Sequence, residues 1–145
     1  MGTSYSAIPI DQEAAAWLQS QNLPTPASFG RPATSEQLRE ALESLDDLTI
    51  SIVSTQEGWD ANIKGVTLDG LEGHTTLWVK LTNPNGSCTY HFHKGWPEIA
   101  IQVLHHVVSI VGPHLFVPHD TGEPLIVTPD RTLGDTLRAF RGDCT

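Results

Sequence analysis

The chain has 145 residues, 17 acidic against 8 basic, a net charge of −9, and 39% hydrophobic and 17% charged side chains. This is the composition of a globular domain, and the length suits one domain with its own core. The negative field disfavours DNA, RNA and anionic membranes, no apolar run reaches the ~20 residues that cross a bilayer, and Cys88 and Cys144 make no disulfide framework.

Residues 1–10 read as a loose arm with neither the basic region nor the apolar core of a secretory leader, so a cytoplasmic location is expected. Asp11 can cap a short helix to about Asn22, with Trp17 and Leu18 on its core side. Residues 23–33 hold Pro24, Pro26, Gly30 and Pro32 and read as loop. Thr34 and Gln37 form a capping box for a second helix, on which Leu38, Ala41, Leu42 and Leu45 make one apolar stripe. Asp46 and Asp47 end it.

Strand candidates follow at 48–54, 62–68, 75–82 and 88–93. In the third, Leu77, Val79 and Leu81 point one way and Thr76, Trp78 and Lys80 the other. Asn83-Pro84-Asn85-Gly86 is a turn, so the strands read as an antiparallel meander. Pro97 suits the first turn of a helix that Gly112-Pro113 stops near Val111. Its surface is apolar apart from Gln102, His105, His106 and Ser109, which predicts a buried central helix. Two short strands around His119–Glu123 and a helical segment at 133–140 complete the chain. Elements in blocks predict a single α+β domain over residues 1–145: an antiparallel sheet, meander plus C-terminal hairpin, with helices packed on one face.

Six of the 7 histidines lie between His91 and His119. His91 and His93 share one face of a strand, with Tyr90 and Phe92 on the other. Two imidazoles on one face suit a metal ion such as zinc, with His119 or Asp120 as a third ligand and Glu123 as the base of a hydrolase. His105 and His106 diverge by ~100° on a helix and do not chelate together. His114 reads as a loop residue. No nucleophile elbow, Walker loop, dinucleotide motif or HExxH is present. Trp17 reads as core, whereas Trp59, Trp78 and Trp96 are candidates for a protein-binding surface, together with the turn acids Asp120 and Glu123.

Gly112-Pro113, Leu115–Pro118 and Asp120–Pro124 followed by Leu125-Ile126-Val127 give the last third of the chain a resemblance to small bacterial immunity proteins of polymorphic toxin systems. The resemblance implies a cytosolic inhibitor without catalysis or cofactor, whose acidity steers it to a basic toxin. Size and acidity also fit a secretion chaperone that binds its effector as a dimer. The expected function is therefore binding of another protein, with a zinc-dependent hydrolase using His91 and His93 as the alternative.

Overall fold

A computed structural model describes residues 4–67, 69–82, 88–119 and 124–141, with the backbone alone described at Lys94 and Arg141. The elements run β1 (Tyr5–Pro9), α1 (Gln12–Ser20), α2 (Ser35–Glu43), β2 (Thr49–Ser54), β3 (Gly58–Val66), β4 (Glu72–Leu81), β5 (Cys88–Gly95), α3 (Pro97–Val111), β6 (His114–Pro118), β7 (Leu125–Val127) and α4 (Leu133–Arg141). The strands form one open antiparallel sheet in the order β2-β3-β4-β5-β1-β6-β7, the expected α+β domain of meander and terminal hairpin.

One expectation fails at the first element. Residues 5–9 are a strand inserted between β5 and β6, not a loose arm. Its signal is short and ends on a proline, and both partners lie far along the chain: Tyr5 pairs with Phe92, and Ala7 with Phe116. Residues 1–3 lie outside the described residues.

Alternation decides the rest of the sheet. On β3, Trp59, Ala61 and Ile63 point inward and Asp60, Asn62 and Lys64 outward, so the strand starts earlier than Ile63 and Val66 alone suggest. Leu77 and Val79 on β4, Tyr90 and Phe92 on β5, and Tyr5, Ala7 and Phe116 join the same inner layer. The central helix α3 closes it with Ile99, Ala100, Val103, Leu104, Val107 and Val108, all buried. A core of this kind contributes about 25 cal/mol per Å² of apolar area buried, an upper figure for a chain already partly collapsed when unfolded. The capping box holds α2 beside α3, with Gln37 N donating to Thr34 Oγ1 at 3.1 Å and Thr34 N to Gln37 Oε1 at 3.0 Å. The last helix, α4, packs on α3 and β7.

The first helix is different. Asp11 caps it, accepting from Ala14 N at 2.9 Å, and Ala15 and Leu18 join Ile10, Leu115, Val117 and Ile126 in a separate small cluster. Leu115 and Ile126 are on the side of the sheet opposite Phe116, so α1 covers the outer face at the β6–β7 end only. This rotation leaves Trp17 46% exposed rather than in the core.

Between β4 and β5 the register slips: Thr76 pairs with His93 but Thr75 with Gly95, so Lys94 is an extra residue. Gly95 takes φ +95, and a Cβ there would lie 2.1 Å from the His74 carbonyl oxygen. The bulge turns the chain into α3, where Trp96 N donates to His74 O at 2.7 Å.

Candidate functional site

The middle of the outer face has no helix over it among the described residues. Across it, Asp60, Trp78, His91, Ser6 and Val117 form one row of strand neighbours, and Asn62, Thr76 and His93 the next. The predicted shared face of His91 and His93 is therefore the outer one, and Trp78 lies directly across from His91.

Rings and hydroxyls fix this patch. The indole of Trp78 stacks on His93, with centroids 3.9 Å apart and planes 17° apart, and meets His91 edge-on at 5.1 Å. His119 comes to the same place from the end of β6, its ring 6.3 Å from that of His91. Two serines of β1 and its entry hold the imidazoles: Ser4 Oγ bonds His93 Nδ1 at 3.2 Å, and Ser6 Oγ bonds His119 Nε2 at 2.6 Å. His119 N also donates to Ser4 O at 2.9 Å. Burial, then the neighbouring His119 and His93, lower the pKa of His91, with Asp60 opposing, so His91 is neutral at pH 7. A neutral imidazole between rings is a contact surface rather than a repelling charge.

An open groove of about 340 Å³ borders the patch, lined by Glu57, Asp60, Trp78, Lys80 and His91 among others. It sets two carboxylates beside an indole that remains 38% exposed. The Lys80–Glu57 pair at 3.8 Å is itself exposed and screened by water, so it does not close the groove. A second open groove, about 430 Å³, lies between Asp47, Thr49, Lys64, Glu72 and His74, with no tryptophan among its lining residues.

The other candidate tryptophans do not join this site. Trp59 is 2% exposed: it is a core residue, its indole N–H donating to Ser35 Oγ at 2.8 Å and its ring lying under the Arg39 guanidinium. That removes it from the surface set. Trp96 is as exposed as Trp78, at 38%, but it packs against Gly73 on the inner side of the sheet, where a Cβ on that glycine would come within 2.8 Å of the indole. Asp120 and Glu123 lie outside the described residues. Among the described residues no group of three or more His, Cys, Asp or Glu side chains is placed to hold a metal ion. His91, His93 and His119 share one patch, with ring nitrogens of His93 and His119 bonded to serines.

Residue His114 is a core residue rather than a loop one. It is fully buried on the inner face, and its Nδ1 lies 3.0 Å from Gly112 O, so that nitrogen carries the proton and donates. Nε2 then accepts from the Tyr90 hydroxyl at 2.6 Å, and that hydroxyl accepts from Ala33 N at 3.1 Å. Cys88 donates to Ala33 O at 3.3 Å beside them. Burial lowers the His114 pKa and raises those of Tyr90 and Cys88 to about 12 and about 11, so all three are neutral at pH 7. This chain of bonds is a satisfied buried network.

Sequence reasoning misses the groove acids Glu57 and Asp60 and the serines Ser4 and Ser6. The only signal for the two serines is alternation with Tyr5 and Ala7, which has no meaning until the segment is known to be a strand. No protein-family model, no curated protein and no solved structure matches this chain.

Proposed function

We propose that this chain is a protein-binding module that docks a basic protein on the open face of its sheet, in the manner of an immunity-type inhibitor that acts by covering a toxin's surface. The observation that carries the reading is the patch itself: Trp78 exposed at its centre, with His93 stacked beneath it and the imidazoles held by Ser4 and Ser6. Tryptophan is favoured at binding hot spots, and a patch already ordered loses little entropy when it is covered. The groove at its side offers Glu57, Asp60 and the indole to an arginine or lysine side chain. The net charge of −9 draws such a partner in and speeds encounter.

The test is affinity capture from the native lysate with the wild-type chain and the Trp78→Ala variant in parallel, followed by titration of the captured protein. One basic protein held by the wild type, released by moderate salt and weakened roughly 30-fold or more by Trp78→Ala, is the expected result. A protein that binds both equally well does not use this face.

A second reading, a zinc site for a hydrolase, is favoured by one observation: His91 and His119 lie close together on the patch that also holds His93. It requires the serine bonds to break. Zinc titration checks it, with about one zinc per chain lost in a His91→Ala, His93→Ala double variant.

A further inference from the structure

The two edges of the sheet differ. At one end β7 is three residues long, is bounded by Pro124 and Pro129, and has α4 packed on it. Natural sheets protect their edges in such ways. At the other end β2 is Thr49-Ile50-Ser51-Ile52-Val53-Ser54, six residues with no charge and no proline, and its ladder to β3 has no bulge. Among the described residues no strand lies beyond it.

Hydrogen-bond parity says which groups of β2 are free to pair. Thr55 N donates to Gly58 O at 3.0 Å, which makes that pair a bonded one. Alternation then gives bonded pairs at Val53–Asp60, Ser51–Asn62 and Thr49–Lys64. The N–H and C=O groups of Ile50, Ile52 and Ser54 turn the other way, off the edge of the sheet.

We infer that β2 is a dimerisation edge, pairing antiparallel with β2 of a second copy of this chain to join two sheets into one. A two-fold axis at Ile52 puts Ile52 against Ile52 and Ile50 of each copy against Ser54 of the other. About six backbone bonds form, and no charge meets a charge within the strand. On the inner side, Ile50 and Ile52 pack on the core but stay half-exposed, and the two-fold covers them with each other. A partner strand from another protein could use the same amides, but the neutral, self-matching pattern favours a second copy. The contact is small, so the dimer is a weak, concentration-dependent one. Each copy carries a net charge of −9, so two copies repel each other. Self-pairing therefore strengthens with salt, the opposite of docking a basic protein. This surface is separate from the Trp78 patch and stands or falls without it.

Sedimentation across a concentration series, with amide exchange followed at Ile50, Ile52 and Ser54, tests the inference. The expected mass rises from 15.8 kDa toward twice that value, more readily at higher salt, while the three amides gain protection with concentration. Ser54→Pro removes one outward donor from an exposed position that the β3 ladder does not use, and Val53→Lys places a charge near its own image; each shifts the midpoint at least 10-fold toward monomer. Trp78→Ala leaves association unchanged. Three results overturn the inference: a chain that stays monomeric into the millimolar range with fast exchange at those amides, a dimer that persists in both β2 variants, or protection that arises only when a different protein is added.

Discussion

Strand β5 carries two kinds of histidine chemistry on its two sides. On the inner side Tyr90 leads to His114, which is fully buried, with both ring nitrogens engaged by the protein and water excluded. On the outer side His91 lies half-buried beside an exposed indole and His93 beneath it, with Ser4 bonded to His93. The same side chain specifies the fold in one place and builds a surface in the other. What separates them is the number of escape routes: a buried polar atom that loses its partner has none, whereas a half-exposed one turns to water.

The largest test of that contrast is steric. Phe92→Ala, on the inner side, opens a cavity and is expected to cost about 3–5 kcal/mol of unfolding free energy, whereas His93→Ala, one residue away, costs about 1 kcal/mol or less. Denaturant melts of the two variants check this, and equal losses would mean that the outer cluster also holds the sheet together. Next is the network. Tyr90→Phe keeps the ring but leaves His114 Nε2 and Ala33 N–H without their partner, so a loss of about 2 kcal/mol is expected in the same assay.

Acid sharpens the comparison further. Folded His114 has its pKa below the ordinary 6.5, so as pH falls the unfolded chain takes the proton first. Its contribution to stability is constant above pH 6.5 and declines below it, down to the depressed folded value. Melts from pH 7.5 to 4.5 are expected to show this decline, and His114→Gln to flatten it. The smallest effect belongs to Trp78→Ala, expected to change stability by less than about 1 kcal/mol while abolishing tight partner binding. A large stability loss there would move Trp78 from the binding surface into the fold.

Local signals carried far along this sequence. The capping box at Thr34, the helix from Pro97 to Val111 stopped by Gly112, and the shared face of His91 and His93 are each set by residues within a few positions of one another, and each is present. Alternation also placed Trp78 opposite Leu77 and Val79. What was not legible depends on distant partners. Tyr5–Pro9 becomes a strand because β5 and β6 offer edges to it, and His114 becomes buried because Tyr90 waits across the sheet. Trp17 and Leu18 share a helical stripe, yet only Leu18 faces the small cluster on β6 and β7. The register of a helix on its sheet is a tertiary property that composition does not reveal.

The central place of β1 has a consequence for synthesis. Strand β1, made before both of its neighbours, pairs with residues 91–92 and 114–118, and its ladder to β5 is only two pairs long. The meander β2–β5 can zip locally as it emerges, but the sheet is joined to β6 and β7 only through this earliest strand. At about 5–20 residues per second, Tyr5–Pro9 waits on the order of ten seconds for its second neighbour. Nascent-chain arrest placed after β5 has emerged but before His114 has left the exit tunnel would therefore yield a paired meander with an unclosed seam, and a bulky tag fused just ahead of Ser4 would slow the last step of folding more than one fused after α4.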